Sequence, residues 1–279
     1  MNFVQVNNSI FVENIESQEF TNSVLIANNT HNTWQQGRDI NEKIKDTKQG
    51  KLAENLVKSY IESIDLSYVD YDAIRKDNYK KHAPFDGLIF ADNTYIDLCI
   101  DKINEDVKNS YIGNITPKCR KFLNSRGIKT VEIKSTKIND RRMALAKSMG
   151  GKKEDYLSVI DNDDFLTYPH FLRHGTIDTF VEYCDYVKDH IPEFKNMKWA
   201  ELVERIKEVE LENLSDIYIH VYMYDDKAII MGYTEKEAFL KYPTIRKFIK
   251  RGKSEDAIYL TTPLYRGKSI KFLSNIFKN

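Results

Sequence analysis

"APFDGLIF" at residues 83–90 and "TVEIKST" at residues 130–136 are short apolar runs that each contain charged side chains. A charged group buried in a strand is costly unless it has a partner or binds a metal. Side chains alternate between the two faces of a strand, so Glu132 and Lys134 share one face and the apolar residues beside them share the other. If the two strands are neighbours, Asp86 lies close to this pair. The pattern therefore predicts a sheet with a site at its edge.

The two carboxylates in this pattern predict a metal ion. Two carboxylates about 4 Å apart repel each other by roughly 4 kcal/mol at an effective dielectric constant of about 20. A divalent cation removes this repulsion, and oxygen ligands without nearby His or Cys favour Mg²⁺, for which Mn²⁺ can substitute. The expected cofactor is therefore Mg²⁺.

The pattern resembles the Pro-Asp…(Asp/Glu)-x-Lys signature of the restriction-endonuclease-like nucleases. The matching residues are Pro84 and Asp86 in "PFD", followed by Glu132 and Lys134 in "EIK". In that family a helix ahead of the aspartate strand often carries a glutamate that completes the metal site, and Glu54 occupies this position. The resemblance implies metal-dependent hydrolysis of phosphodiester bonds that leaves 5′-phosphate and 3′-hydroxyl ends.

The resemblance also implies a role for each matching residue. Asp86, Glu132 and Lys134 would be catalytic, with Lys134 orienting or helping to deprotonate the attacking water. The metal ligands would be Glu54, Asp86, Glu132 and the main-chain carbonyl of Ile133. Glu54 shares a helical stripe with apolar residues, so it borders the face that packs on the sheet.

The long separation between the two motifs allows an alternative. Residues 94–100, "TYIDLCI", read as a strand that forms a hairpin with residues 85–90, and residues 101–127 read as a helical insertion. Within the insertion, Thr116 and Pro117 suit the N-cap and first position of a helix, and Gly127 suits its C-terminal stop. If Asp97 of that strand faces the pocket, it replaces Asp86 as the metal ligand. The Pro-Phe-Asp context favours Asp86.

The rest of the chain predicts an α/β (α+β) fold with a restriction-endonuclease-like core, in which a mixed β-sheet is flanked by helices. Residues 1–45 are interpreted as an N-terminal extension and residues 46–279 as the nuclease domain. The other predicted elements are helices at 51–64 (beginning after Gly50), 177–190 and 198–213, a hairpin at 217–234, helical turns at 235–242 and 244–252, and a strand at 256–264.

The charge distribution indicates nucleic acid as the partner, although the net charge is zero. Residues 117–142 carry nine Lys or Arg and two acidic residues. Within this block Lys137, Arg141 and Arg142 follow the "EIK" motif closely, where they could bind the phosphate backbone of the substrate. The opposing reading is that such charged blocks only face solvent.

Other classes of protein are not indicated. No apolar run reaches the roughly 18 residues that span a bilayer, and the N-terminus does not resemble a signal peptide. The three cysteines are widely spaced, which favours a reduced, cytoplasmic setting without a zinc site or disulfide framework. No loop typical of nucleotide binding occurs, and His170 and His174 lie in a loop-like context that does not favour a metal pair.

The expected function is that of a Mg²⁺-dependent DNA endonuclease of the type II restriction or phage-defence type. Cleavage of both strands of a duplex needs two active sites, so a homodimer is expected. A repair nuclease, a junction resolvase or an RNA-directed enzyme remain alternatives within the same class. Outside it, the alternatives are a non-catalytic nucleic-acid-binding module and an ordinary structural pair of Glu132 and Lys134.

Overall fold

The computed structural model describes residues 2–15, 39–110, 113–167, 180–250 and 255–278. The strands are β1 (Asn2–Val6), β2 (Ser9–Glu13), β3 (Ser67–Asp70), β4 (Gly87–Phe90), β5 (Lys129–Lys137), β6 (Asp164–Thr167), β7 (Ile217–Tyr224), β8 (Lys227–Glu235), β9 (Thr244–Lys250) and β10 (Glu255–Pro263). The α-helices are α1 (Ile40–Glu62), α2 (Tyr71–Ile74), α3 (Ile96–Asn109), α4 (Pro117–Ser125), α5 (Asp140–Met149), α6 (Lys153–Ser158), α7 (Phe180–His190), α8 (Trp199–Asn213) and α9 (Lys236–Lys241). Short 3₁₀ helices cover Pro192–Phe194, Leu264–Arg266 and Ile270–Phe277.

A seven-stranded mixed sheet organises the fold. Its strand order is β1-β2-β8-β7-β5-β4-β3, and a second sheet of three strands has the order β6-β10-β9. Strands β5 and β7 are parallel, and the other neighbouring pairs are antiparallel. The predicted α/β architecture with a mixed sheet flanked by helices is thereby confirmed.

Helix α1 covers one face of this sheet. Its buried residues include Leu56, Val57 and Ile61, which share a hydrophobic core with Val131 and Ile133 of β5. The helix begins at Ile40 after the N-cap Asp39, whose carboxylate accepts the amide of Asn41 at 2.8 Å. The predicted start after Gly50 is wrong, because a capping aspartate outweighs the modest helix penalty of one internal glycine.

The predicted hairpin between residues 85–90 and 94–100 is also wrong. Strand β4 pairs instead with β3, and residues 96–100 form the first turns of α3. Cys99, Ile103 and Val107 recur every four residues and are buried together, which is helical periodicity. Two helices therefore fill the long gap between the motifs, and the predicted helical insertion begins a few residues earlier than expected.

The second helix of this insertion follows its sequence signals. Thr116 caps α4 by accepting the amide of Cys119 at 3.2 Å, and Pro117 occupies the first turn. Gly127 has a φ of +69° just after the helix ends, a conformation that glycine adopts without strain. The predicted beginning and end of this helix are confirmed.

The C-terminal half combines confirmed and corrected predictions. Helices α7 and α8, the hairpin of β7 and β8, helix α9 and strand β10 occur where the sequence predicts them. Residues 244–250 form strand β9 in place of the predicted helical turns. The apolar residues Ile245, Phe248 and Ile249 have helical spacing, but antiparallel pairing with β10 overrides it.

The N-terminal residues belong to the main sheet. Strand β2 pairs with β8, and β1 forms the outer edge. The expected boundary between residues 45 and 46 falls inside α1. The segment interpreted as an extension therefore supplies two strands of the seven-stranded sheet.

Candidate active site

Asp86 lies at the point where β4 begins beside β5. Its amide donates to the carbonyl of Val131 at 2.9 Å, which continues the antiparallel ladder by one residue. Its carboxylate Oδ2 accepts the amide of Ile133 at 2.6 Å. Because β4 starts only at Gly87, no strand carbonyl pairs with this amide from the β4 side, and the Asp86 carboxylate takes that place. The side chain is thus fixed against the backbone of the "EIK" motif.

Gly87, the residue after Asp86, is packed against an aromatic ring. A Cβ atom at Gly87 would lie 2.3 Å from Cζ and from Oη of Tyr68, so the tyrosine ring lies directly over the glycine. Tyr68 belongs to β3 and is 4% exposed, and its hydroxyl has no hydrogen-bond partner among the residues that the structure describes. Glycine is required here because the neighbouring strand places an aromatic ring against its backbone.

Glu132 and Lys134 form an ion pair on the face of β5 opposite α1. Their side chains are 23% and 35% exposed, so the pair is partly buried. Burial lowers the pKa of Lys134, but Glu132 and Asp86 outweigh that effect and hold its pKa above the ordinary value. Lys134 is therefore an ammonium ion at neutral pH.

Glu54 lies on α1, against the other face of the sheet. The Nζ atom of Lys51 lies 2.6 Å from Glu54 Oε2 and 2.6 Å from Asp72 Oδ2. The Lys51–Glu54 pair follows from helical i, i+3 spacing and could be found from the sequence. Asp72 belongs to α2, which no sequence pattern predicted, so its contact with Lys51 could not be found in this way.

Asp86 and Glu54 are both held in conditions that disfavour their charged forms. Burial and the charge of Glu132 raise the pKa of Asp86 to about 7, against the opposing effects of Lys134, the Ile133 amide and Lys51. Burial and the charge of Asp86 raise the pKa of Glu54 to about 8, against the opposing effect of Lys51. Asp86 therefore lies electrostatically between the carboxylates on the two faces of the sheet.

The three predicted carboxylate ligands do not meet at one point. Glu132 is turned toward Lys134, and Glu54 is turned toward Lys51. Within the described ranges, no three His, Cys, Asp or Glu side chains form a group placed to hold a metal ion. Lysine side chains thus contact the two outer acidic groups, while Asp86 contacts the backbone between them.

The donor chemistry of the site nevertheless fits a hard divalent cation. Asp86, Glu132 and the carbonyl of Ile133 are all oxygen donors, and Asp86 lies beside the other two on adjacent strands. A cation nearby would favour the ionised forms that burial now opposes at Asp86 and Glu54. The alternative ligand Asp97 is exposed in the first turn of α3, not on a strand of the sheet.

The parallel pairing of β5 with β7 adds residues that sequence reasoning missed. His220 is opposite Lys134 in the register of the two strands, and its Nε2 lies 2.9 Å from Oγ1 of Thr136. Its Nδ1 lies 3.2 Å from the carbonyl oxygen of Asp164. Burial lowers the pKa of His220 to about 4, so its ring is neutral near pH 7. No local signal reveals this neighbour, because the pairing joins distant parts of the chain.

The three predicted DNA-binding residues differ in their exposure and in whether they are paired with a carboxylate. Lys137 and Arg141 are exposed, at the end of β5 and at the start of α5. Arg142 forms a bidentate pair with Asp163, with N–O distances of 2.6 and 2.8 Å. Asp163 also accepts the hydroxyl of Tyr222 at 2.7 Å. Arg142 is thus part of a structural network, and the other two remain available to a phosphate backbone.

Cys99, Cys119 and Cys184 are buried free thiols. His170 and His174 lie outside the described residues. Among the helices described, none combines the length and the apolar character needed to cross a bilayer.

Comparisons with protein-family models, with curated proteins and with solved structures found no match.

Proposed function

We propose that the protein is a Mg²⁺-dependent nuclease that hydrolyses phosphodiester bonds at Asp86, Glu132 and Lys134. The observation that carries the proposal is the hydrogen bond from the Ile133 amide to the Asp86 carboxylate, at 2.6 Å. It joins the two halves of the sequence motif, which lie far apart in the chain, in adjacent strands. Such a meeting of a "PFD" turn and an "EIK" strand is what the family resemblance implies.

The arrangement of elements gives further support to a restriction-endonuclease-like core. The glutamate helix α1 packs on β5, the aspartate comes directly before β4, and the "EIK" motif lies in the middle of β5. These elements follow one another in the order that the resemblance implies. The parallel strand β7 beside β5 makes the sheet mixed.

Each residue of the site has a role in the proposed reaction. Asp86, Glu132 and the carbonyl of Ile133 would hold the ion. Glu54 would lie on the α1 side of Asp86, away from the ion. A bound Mg²⁺ would polarise the scissile phosphate and stabilise the charge that develops in the transition state. Lys134, as an ammonium, would orient the attacking water and place positive charge beside the phosphorus. The water oxygen forms the new P–O bond, the bond to the 3′ oxygen breaks, and the proton passes to that oxygen.

Lys137 and Arg141 would hold the substrate backbone next to the site. Both are exposed and follow the catalytic strand closely, and phosphate contacts of this kind fix the position of the duplex without reading its sequence. The substrate we propose is double-stranded DNA. Two strands require two sites, so a homodimer is part of the proposal, as is a role in restriction or phage defence.

A cleavage assay with matched variants tests the proposal. The protein is incubated with supercoiled plasmid in Mg²⁺, in Mn²⁺ and in EDTA, beside Lys134→Met and Lys76→Met. Lys76 is an exposed lysine paired with Asp101, so the second variant controls for the loss of one lysine. We expect metal-dependent cutting by the wild type and Lys76→Met, and a loss of about 10²- to 10⁴-fold in Lys134→Met. Equal cutting by both variants, or none by the wild type, would contradict the proposal.

A non-catalytic nucleic-acid-binding module is the second candidate. The observation in its favour is that Lys134 and Lys51 already contact Glu132 and Glu54 without an ion. A gel-shift measurement beside the cleavage assay separates the two functions. Binding of DNA that is unaffected by EDTA, together with intact plasmid in Mg²⁺ and Mn²⁺, would favour the module.

A further inference from the structure

A cleft of about 590 Å³ lies between helices α4, α8 and α9, away from the "EIK" motif. Five cationic side chains line it, against three glutamates of α8. Three of the lysines already have carboxylate partners: Lys121 pairs with Glu212, Lys207 with Glu204, and Lys236 with Asp216. The other two cations are Arg120 and Lys241.

Arg120 is buried in the wall of this cleft without an ion-pair partner. It is 6% exposed, and within the described part of the chain its Nε has no hydrogen-bond partner and its Nη1 has one, Thr130 Oγ1 at 3.4 Å. Among the residues that the structure describes, no carboxylate forms an ion pair with its guanidinium. A buried arginine normally forms charge-assisted hydrogen bonds, so this one lacks most of its expected partners.

The nearest candidate partner, Asp216, is fully engaged by other donors. Its Oδ2 accepts the amide and the hydroxyl of Thr130, both at 2.9 Å. Its Oδ1 accepts Nδ2 of Asn124 at 3.0 Å and Nζ of Lys236 at 2.8 Å. Both oxygens are therefore occupied, so Asp216 favours the charge of Arg120 through space while, among the described residues, the guanidinium lacks a carboxylate that it can bind directly.

We propose that this cleft binds a small phosphate-bearing ligand, with Arg120 as the buried anchor and Lys241 at the rim. The planar guanidinium matches two oxygens of a phosphate group, and such bidentate contacts are strong in a partly buried site. The cleft volume lies in the range of small-molecule sites. Lys241 is exposed and has no carboxylate partner among the described residues, so it can approach the same anion.

None of the residues that line the cleft belongs to the proposed nuclease site, although the charge of Glu132 acts on Arg120. Arg120 contacts Thr130, which lies two residues before Glu132 on β5, and the rest of the cleft is built from helices. Binding there needs neither a metal ion nor cleavage. The inference can therefore fail while the proposed nuclease function stands, and the reverse also holds.

Isothermal titration calorimetry in EDTA tests the inference with inorganic phosphate, deoxyadenosine monophosphate and a short DNA duplex as separate probes. The variants are Arg120→Met, Lys241→Met and the control Lys76→Met, each checked for folding by circular dichroism. A control titration with chloride at matched ionic strength measures the effect of general screening, so that this effect can be subtracted. We expect saturable binding of phosphate and the monophosphate by the wild type and the control.

The variants decide the outcome. Arg120→Met should weaken monophosphate binding at least about tenfold, as the loss of a charge-assisted hydrogen bond predicts, and Lys241→Met should weaken it about threefold. If Arg120→Met does not fold, the Lys241→Met result alone decides. The inference is overturned if neither small probe binds the wild type, if Lys241→Met and folded Arg120→Met bind like the wild type, or if only the duplex binds. The last result would assign the cleft to a nucleic-acid backbone.

Discussion

The amide of Ile133 donates a hydrogen bond to Oδ2 of Asp86 at 2.6 Å. This contact fixes one acidic side chain against the centre of a strand that carries a glutamate and a lysine on the face opposite α1. It also gives Asp86 electrostatic contact with groups on both faces of the sheet, since Glu132 lies on one face and Glu54 on the other.

Mg²⁺ should stabilise the folded protein through Asp86. A ligand at about one hundred times its dissociation constant adds about 2.7 kcal/mol to the free energy of unfolding. We expect the melting temperature to rise with Mg²⁺ in the wild type and in Asp101→Asn, a control at an exposed carboxylate, but not in Asp86→Asn. Calorimetry near pH 7 should also detect proton release on binding, because the pKa of Asp86 is raised to about 7. A rise of the same size in Asp86→Asn would contradict this assignment.

The raised pKa of Glu54 should make the metal-free protein less stable as the pH rises. The folded carboxyl keeps its proton up to about pH 8, whereas the unfolded chain releases it near 4.5. The unfolded state thus binds fewer protons between these values, so this group's contribution to stability falls across that window. Glu54→Gln should therefore gain up to about 3 kcal/mol relative to the wild type between pH 5 and pH 8.

Urea denaturation in EDTA at the two pH values measures this difference. Glu105→Gln is a matched control, because Glu105 is also paired with a lysine three residues before it but is well exposed. Its stability relative to the wild type should change little with pH. If Glu54→Gln behaves like the control, the carboxyl of Glu54 does not titrate as described.

Arg141 and Arg142 should differ in their effects on DNA binding. Arg141→Ala removes an exposed cation and should weaken binding while lowering the slope of log K against log salt by about one. Arg142→Ala breaks the pair with Asp163 and should lower the free energy of unfolding by about 1 kcal/mol. Salt-dependent fluorescence anisotropy and denaturation measure the two effects. If Arg142→Ala weakens DNA binding and Arg141→Ala does not, Arg142 leaves Asp163 to bind DNA.

Two glycines should respond to alanine in opposite directions. At Gly87 the added methyl would overlap the buried ring of Tyr68, so Gly87→Ala should destabilise the fold by about 1–3 kcal/mol. At Gly50 nothing lies within 4 Å of the added Cβ, and the residue is inside α1. Gly50→Ala should therefore stabilise the protein by about 0.5–1 kcal/mol. Chemical denaturation of both variants checks the pair, and equal effects would contradict the described packing.

The sequence predicted those parts of the fold that local patterns determine. Thr116, Pro117 and Gly127 define the limits of α4, and the alternation in residues 217–234 defines the β7–β8 hairpin. The failures have non-local causes. Pairing with β10 turned residues 244–250 into a strand, and burial against α4 and β4 turned residues 96–100 into a helix.

The residues of the candidate site also fall into those that local patterns predict and those that only distant pairings bring together. Strand alternation placed Glu132 and Lys134 on one face, and the proline-aspartate context identified Asp86. The lysine that pairs with Glu54 could be read from helical spacing. His220 and Asp72 could not be found, since each reaches the site through a pairing or a turn between distant segments.

Crystals grown with Mn²⁺ test the central claim most directly, because the anomalous signal of Mn²⁺ locates the ion without assumptions about activity. We predict an anomalous peak between the carboxylates of Asp86 and Glu132, within about 2.0–2.6 Å of oxygen ligands that include the carbonyl of Ile133. Glu132 should have moved away from Lys134 to reach it. A structure with Mn²⁺ bound elsewhere, and with Glu132 still paired with Lys134 beside an empty Asp86, would contradict the claim.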